Sequence, residues 1–213
     1  MTRSMAVFLV ACTAACGGGP GSEPMPGPRA AATQDPDTAL PPVGHGTLRQ
    51  DAFTVALRVG DLQIKMTPLA EEVIRLAAPD TYQRLRELAQ ARADWARRTA
   101  SAAGLQDAPL LFLVSFFTFA PQSEYTPTDL QIQSEGRLYR ALGFAPVTPG
   151  FGSQWLRQEE TQIALYAYDP EIDLSIPMIV RYGTVTSAAW ESIVSTLEGE
   201  RARVLARTKA ETR

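Results

Sequence analysis

Apolar and polar residues alternate regularly on both sides of the dipeptide Gly60–Asp61, between Phe53 and Met66. Glycine followed by aspartate is typical of a two-residue turn between antiparallel strands. The register of that turn places three apolar pairs on one face, Val59 with Leu62, Leu57 with Ile64, and Val55 with Met66. The other face is polar or small, so we predict a β-hairpin with one face on a core and one in water.

Two helices are predicted in residues 68–103. Thr67 and Pro68 suit the N-cap and first position of a short helix that ends near Ala77. Pro79 begins the second helix and Gly104 ends it. Its apolar stripe consists of Tyr82, Leu85, Leu88, Ala89, Trp95, Ala96 and Thr99. The arginines and acids of the opposite stripe indicate a solvated face rather than a site for anionic lipid.

The remaining segments are mostly short and strand-like. Leu110–Ala120 is apolar at alternate positions of both faces, which is typical of a central, covered strand. Further strands are predicted at 130–133 and 137–140, joined by a turn at 134–136, and at 161–168 and 173–182. Pro177 predicts that the last of these lies at a sheet edge.

The period becomes helical after Thr186. The apolar stripe there consists of Trp190, Ile193, Val194, Leu197, Val204 and Leu205. We predict a helix at about residues 187–206, followed by frayed residues from Arg207 to Arg213.

These elements predict an α+β fold, an antiparallel β-sandwich with a helical insertion and a C-terminal helix. The order of elements in Leu110–Gly183 comprises a strand, a turn around Gly136 and Tyr139, a polar step at Gln158–Thr161 and final paired strands. In this order it resembles the immunoglobulin-like extracytoplasmic domains of bacterial lipoproteins, which implies an immunoglobulin-like sandwich. The cysteine pair of true immunoglobulin domains is missing, and the helices before Leu110 depart from the pattern.

The first sixteen residues, MTRSMAVFLVACTAAC, are identified as a bacterial lipoprotein export signal. Arg3 supplies the positive start, and Met5–Ala15 is apolar but too short to span a bilayer. In such signals a branched apolar residue and two small residues precede a cysteine, which is acylated before cleavage in front of it. The resemblance implies attachment to a membrane on its extracytoplasmic side.

Two cysteines compete for acylation. Leu9–Cys12 matches the motif more closely, but if Cys12 is acylated, the apolar region of the signal is only Met5–Ala11, which is short for such signals. Cys16 leaves a region of ordinary length and is followed directly by the flexible segment GGGPGSEP. We favour Cys16 and keep Cys12 as the alternative, beside a conventional secretory leader cut near Thr13–Ala15 or an uncleaved leader.

The expected domain organisation follows from this choice. Residues 1–15 form the signal peptide, residues 16–46 a tether, and residues 47–213 one folded domain. Gly17–Gly46 has 30 residues, of which seven are glycine and seven proline, so we expect it to be disordered. Such a tether has a root-mean-square span on the order of 30 Å.

Composition excludes several classes of function. The 213-residue chain has 20 basic and 23 acidic residues, a net charge of -3 that disfavours nucleic-acid binding. It has one histidine, His45, between two glycines of the predicted tether. A histidine-based catalytic triad needs a rigidly held imidazole, and a histidine zinc site usually needs two or more ligands, so we interpret His45 as a spacer.

The acidic residues form one conspicuous group, Asp169, Glu171 and Asp173. A calcium-binding EF-hand loop would need glycine in place of Leu174 and glutamate in place of Val180, so an acidic turn is favoured. Neither this group nor Glu159 with Glu160 predicts acid–base catalysis unless two carboxylates face each other in a cleft. We expect no metal and no cofactor.

The loop GFAPVTPGFGSQW carries the candidate binding surface, which consists of Phe144, Phe151 and Trp155. Aromatic residues on glycine- and proline-rich loops can stack on sugars or anchor a protein partner, and Tyr125 and Tyr139 could extend that surface. The alternative, that these aromatics fill one end of the sandwich core, is favoured.

The functional hypothesis is therefore a lipid-anchored, non-enzymatic binding or structural module of the bacterial cell envelope. Its expected partners are the membrane, through the anchor, and an envelope protein or glycan. One alternative is an accessory subunit of an envelope complex that uses the apolar stripe Trp190–Leu205 as a partner helix. Another is a carboxylate-based glycan hydrolase.

Overall fold

The computed structural model describes residues 40–211. The strands in this range are β1 (Val55–Val59), β2 (Leu62–Pro68), β3 (Leu110–Thr118), β4 (Gln122–Glu124), β5 (Leu130–Ser134), β6 (Arg137–Arg140), β7 (Gly143–Pro146), β8 (Trp155–Arg157), β9 (Thr161–Tyr168), β10 (Ile179–Tyr182) and β11 (Val185–Ser187). The α-helices are α1 (Glu71–Ile74), α2 (Pro79–Gln90), α3 (Ala93–Ala102) and α4 (Trp190–Glu211).

The strands form antiparallel sheets, and the predicted α+β sandwich is confirmed. The larger sheet has the order β1-β2-β3-β9-β7, the smaller one has the order β11-β10-β5-β6, and β4 pairs with β8 in a separate ribbon. Buried tyrosines of β9 connect the two large sheets. The hydroxyl of Tyr166 donates to the carbonyl of Pro127 at 3.1 Å, and that of Tyr168 donates to the carbonyl of Leu130 at 2.9 Å.

The predicted hairpin has the predicted register. Val55 pairs with Met66, Leu57 with Ile64, and Val59 with Leu62. The residues of this face are buried except Val59, which is half-buried. Turn chemistry and hydrophobic alternation agree here, which is why local sequence was sufficient.

β3 is the central strand, as predicted. Its neighbours are β2 and β9, and Phe112, Val114 and Phe116 on its inward face are fully buried. Its outward face is only half-buried. Helix α3 covers the outward side at β7, where a Cβ on Gly143 would lie 3.3 Å from the side chain of Thr99.

The first predicted helix is wrong in its start and length. Thr67 and Pro68 belong to β2, where they pair with Leu113 and Phe112 of β3. Thr67 is buried and its hydroxyl lies 2.7 Å from that of Thr54, so it completes the sheet instead of capping a helix. Helix α1 is the single turn Glu71–Ile74.

The second predicted helix begins at Pro79, as expected, but it is divided. α2 ends at Gln90 and α3 begins at Ala93, while Gly104 follows α3 with a φ of +77°. The predicted stripe faces inward along both helices: Tyr82, Leu85 and Ala96 are buried, and Leu88, Ala89, Trp95 and Thr99 are half-buried.

The predicted strand 173–182 is wrong over its first half. Only Ile179–Tyr182 is a strand, and β10 lies between β11 and β5 instead of at an edge. Asp173 accepts hydrogen bonds from the backbone N–H and hydroxyl of Ser175, which turns the chain there. The indole of Trp190 donates to the carbonyl of Leu174, which would otherwise be available to a neighbouring strand.

Helix α4 extends from Trp190 to Glu211, so it continues past the predicted end and includes residues that were expected to fray. Five members of its predicted stripe are buried in the core of the same chain, namely Trp190, Ile193, Val194, Leu197 and Val204. Leu205 was assigned to the stripe wrongly, because it is 54% exposed. The buried stripe contains Glu200 instead, which is 1% exposed.

The folded domain begins before the predicted boundary at Thr47, because residues as early as Pro41 already pack against it. Pro41 and Gly46 are already buried, and the N–H of Leu48 donates to the carbonyl of Leu76 at 3.0 Å. Glu200 accepts hydrogen bonds from the N–H and the hydroxyl of Thr47. We call residues 40–48 the entry segment. Residues 17–39 of the predicted tether lie outside the described residues.

Candidate functional site

Phe144 and Phe151 lie at the β7 edge of the larger sheet. Phe144 is opposite Tyr166 of β9 and is 36% exposed. The ring of Phe151 is half-buried, with its centroid 5.5 Å from that of Phe144 and 6.2 Å from that of Tyr166. Phe151 also lies 6.2 Å from Phe116 of the core. Phe151 therefore packs with the core, and Phe144 borders on solvent.

Trp155 lies on a different element from these two rings. It is the first residue of β8, opposite Glu124 of β4, and it is 49% exposed. The next residue, Leu156, is fully buried and fixes the ribbon on the domain. The structure thus brings Phe144 and Phe151 together, while Trp155 projects from the neighbouring ribbon.

Tyr125 and Tyr139 do not extend this surface, because they are only 1% and 8% exposed, and for them the favoured interpretation, packing in the core, is confirmed. Tyr125 stacks on Phe116 with ring centroids 4.5 Å apart. The hydroxyl of Tyr125 has two internal partners, Gln162 and Gly152, and a tyrosine with such partners can be buried as readily as phenylalanine. The sequence does not show that these partners are present.

Gln162 organises the loop that carries Trp155. Its side chain is 2% exposed, and its amide N–H groups donate to the hydroxyl of Ser153 at 3.2 Å, the carbonyl of Trp155 at 3.1 Å and the carboxylate of Glu160 at 2.8 Å. Its carbonyl accepts a hydrogen bond from the hydroxyl of Tyr125. The sequence shows only a glutamine in a strand, so this role could not be predicted from it.

Two groups of this network, Tyr125 and Glu160, have shifted pKa values. Burial raises the pKa of Tyr125, although the N–H of Gly152 donates to its hydroxyl at 2.9 Å and acts in the opposite direction. Hydrogen bonds from Gln162 and from the N–H of Arg157 lower the pKa of Glu160. The tyrosine therefore stays neutral and the glutamate ionised near neutral pH, which suits a fixed scaffold for Trp155 rather than proton transfer.

Tyr125→Phe is expected to lower the free energy of unfolding by about 2 kcal/mol, because it leaves the Gln162 carbonyl and the Gly152 N–H without their partner. Chemical denaturation measures the loss. Tyr139→Phe is the matched control, because it also removes the hydroxyl of a buried tyrosine, but one that forms no hydrogen bond among the described residues. It should change the free energy of unfolding by less than about 0.5 kcal/mol. Equal effects of the two variants would contradict the role of the network.

A second candidate site is a cleft of about 190 Å³ between α1, α4 and the turn after β9. Its apolar wall contains Val73, Leu174, Val194 and Leu197, and its polar wall contains Glu72, Asp173, Ser175, Glu198 and Arg201. The Nε atom of Arg201 is shielded from solvent and has no hydrogen-bond partner among the described residues. The sequence singles out Asp173 but gives no signal for Glu198 and Arg201, because the spacing of these two residues is that of an ordinary solvated helix face.

The acidic group of the sequence is divided by the structure. Asp169 accepts a hydrogen bond from the N–H of Glu171, and Glu171 pairs with Arg137. The hydroxyl and N–H of Ser175 lower the pKa of Asp173, so this carboxylate is ionised at neutral pH. Within residues 40–211, no group of three histidine, cysteine or acidic side chains could hold a metal ion.

His45 lies on the entry segment, where its Nδ1 is 3.5 Å from a carboxylate oxygen of Glu211. Its carbonyl oxygen accepts a hydrogen bond from Arg207. It is therefore in contact with α4, which the spacer interpretation did not include. The predicted acylation site Cys16 and its alternative Cys12 lie outside the described residues.

Of the helices in the described part of the chain, none has the length and apolar character needed to cross a bilayer. No protein family model, curated protein or solved structure gave a significant match to the chain.

Proposed function

We propose that this protein is a lipid-anchored, extracytoplasmic, non-enzymatic binding or structural module of the bacterial cell envelope. The observation that carries the proposal is the N-terminal sequence, in which an apolar leader ends at Cys16 and a glycine- and proline-rich segment follows directly. An acylated cysteine would anchor the chain, and the segment would connect the folded domain to that anchor.

The side chains of the domain support a binding or structural role. The carboxylates with resolved pKa shifts, Glu160, Asp173 and Glu200, are all shifted toward the ionised form by hydrogen bonds. A catalytic acid at neutral pH needs the opposite shift. The exposed ring of Trp155 on its fixed ribbon is the part of the predicted aromatic surface best placed to contact a glycan or a protein.

The alternatives differ in how the structure bears on them. Five of the six residues of the predicted α4 stripe are buried in the core of this chain, so the stripe offers an accessory subunit little contact surface. The hydrolase alternative draws on the cleft in which Glu72, Asp173 and Glu198 lie together. Release of soluble fragments from purified envelope glycan, abolished by Glu72→Gln, would favour the hydrolase over the binding module.

Cys16→Ser should abolish metabolic labelling with a fatty acid and release the protein from the membrane fraction, because the acylated atom is removed. Globomycin, which blocks the lipoprotein signal peptidase, should make the precursor accumulate. Cys12→Ser is the matched control and should leave labelling and membrane retention unchanged. Full labelling of Cys16→Ser would exclude Cys16 as the acylation site, and its loss in Cys12→Ser would assign the alternative cysteine.

A further inference from the structure

The outward face of the smaller sheet presents two arginines in one row. Arg181 of β10 pairs with Gln131 of β5, which pairs in turn with Arg140 of β6. Val180, Ile132 and Tyr139, the adjacent residues on these strands, are buried in the sandwich. Because side chains alternate between the two faces of a strand, the arginines and Gln131 point away from the core. We call this surface the arginine face.

Neither arginine is neutralised within the described part of the chain. Arg181 and Arg140 form no ion pair there, and the Nε atom of Arg181 is shielded from solvent without a hydrogen-bond acceptor. The other outward residues of the sheet are uncharged, namely Gln131, Gln133, Leu138, Ile179 and Thr186. The face is therefore cationic on a chain whose net charge is -3.

The arginine face also carries apolar side chains. Leu138 is 48% exposed, and Ile179 is half-buried across Gln133 from it. Arginines beside exposed aliphatic residues, without carboxylates among them, form the side-chain set that rests on anionic lipid headgroups. Glu135 and Glu191 line a depression at one end of the face together with Gln133 and Ile179, and they define its border.

We propose that the arginine face docks onto the anionic phospholipid surface of the membrane in which the protein is anchored. The inference rests on the proposed lipid anchor at Cys16. The 23 residues from 17 to 39 can span up to about 75 Å, enough for the face to reach the membrane. Each arginine near an anionic surface strengthens attachment about fivefold, so the two together favour the docked state about 25-fold once the anchor supplies proximity.

The test uses the acylated full protein, verified by intact mass, in vesicles of phosphatidylcholine with or without phosphatidylglycerol. Leu138→Cys provides a labelling position for an environment-sensitive fluorophore, since acylation occupies the sulfur of Cys16. We expect a blue shift only with phosphatidylglycerol and its reversal at high salt. Arg140→Gln with Arg181→Gln should reduce the docked-to-undocked ratio about 25-fold, and the Arg→Lys pair should retain most of the shift.

The control pair is Arg84→Gln with Arg98→Gln, which removes the same charge from exposed positions on α2 and α3, outside the smaller sheet. It should leave the shift unchanged.

An acylated protein that floats with vesicles but shows no shift, or a shift insensitive to the Arg140 and Arg181 substitutions, would overturn docking alone. A protein without an acyl chain that does not float would overturn the anchor as well. A shift caused by soluble anionic polysaccharide instead of phosphatidylglycerol would assign the face to a glycan and overturn membrane docking.

Discussion

Replacing Glu200 with alanine is expected to lower the free energy of unfolding by about 3 kcal/mol. The carboxylate is buried, and it accepts hydrogen bonds from the N–H of Thr47 at 3.1 Å, the hydroxyl of Thr47 at 2.8 Å and the guanidinium of Arg207 at 2.8 Å. Arg203 lies 3.3 Å from its other oxygen. Glu200 thereby attaches the entry segment to α4, and alanine would remove every one of these contacts.

The size of this effect follows from the exposure of the partners. Breaking a buried ion pair typically costs about 3–5 kcal/mol when the remaining charge is left buried. Here the remaining charges belong to Arg203 and Arg207, whose side chains are 69% and 36% exposed and can regain water. The lower end of the range is therefore expected. Glu198→Ala, an exposed glutamate of the same helix, is the matched control and should change stability by less than about 0.5 kcal/mol.

The contribution of Glu200 should also depend on pH. Burial by itself raises the pKa of this carboxyl group, but hydrogen bonds from Arg207, Thr47 and Arg203 outweigh it and hold the pKa below its ordinary value of 4.5. A depressed pKa in the folded state stabilises the fold fully above 4.5, and the stabilisation is lost as the pH falls through the folded value. The free energy of unfolding of the wild-type protein and of Glu200→Ala should be measured across this pH range. The difference between the two values should become smaller as the pH falls. A difference that stays constant would contradict an ionised Glu200.

Gly46→Ala is expected to destabilise the domain by about 3 kcal/mol, at the upper end of the range for overpacking. A Cβ at this position would lie less than 3.0 Å from the carbonyl groups of Leu76 and Ala77. Both contacts are with backbone, so no side-chain rotation can relieve them. The adjacent N–H of Ala78 donates to the carbonyl of Leu48 at 2.9 Å, and this pairing must break if the entry segment moves away.

The control for this substitution is Gly199→Ala on α4. Nothing lies within 4 Å of a Cβ added there, and alanine is preferred over glycine in a helix by about 1 kcal/mol, so this variant should be slightly more stable. Denaturant unfolding compares the two. Amide hydrogen exchange at Leu48 and Ala78 provides a second measurement. Fast exchange there with an unchanged unfolding midpoint would show that the entry segment detaches alone and lies outside the cooperative core.

The parts of the fold that were predicted correctly have local causes. The β1–β2 register follows from the Gly60–Asp61 turn together with the alternation on each side of it. β3 was recognised as central because both of its faces are apolar, and Pro79 was recognised as a helix start because proline suits that position. In each case the signal that allows the prediction lies in residues close together in the sequence.

The errors have a common cause in contacts between distant residues. Thr67 is of a residue type that often caps helices, but its pairing with Leu113 of β3 keeps it in a strand. The apolar alternation of residues 173–178 resembles a strand, but Ser175 and Trp190 hold that segment in a turn. Glu200 follows the polarity of a solvated helix, but it is buried where Thr47 of the entry segment, 153 residues earlier in the chain, donates two hydrogen bonds to it.

The candidate sites were predictable to different degrees. Sequence identified the aromatic loop, since aromatic residues among glycines and prolines are conspicuous, but it could not separate Phe151, which is half-buried against the core, from Trp155, which is 49% exposed. The arginine face depends on strand order, because Arg181 and Arg140 are 41 positions apart and lie in one row only when β5 separates their strands. No local pattern predicts that order.

By itself, the sequence determined the fold class, the hairpin register and the central strand, and it predicts an export signal with Cys16 as the anchor. These depend on periodicity, turn residues and a short linear motif, all of which act between near neighbours in the chain. Only the tertiary structure decided which polar residues are buried, which aromatic rings reach solvent and which arginines share a face. Those properties depend on strand order and on long-range partners, which residue spacing does not encode.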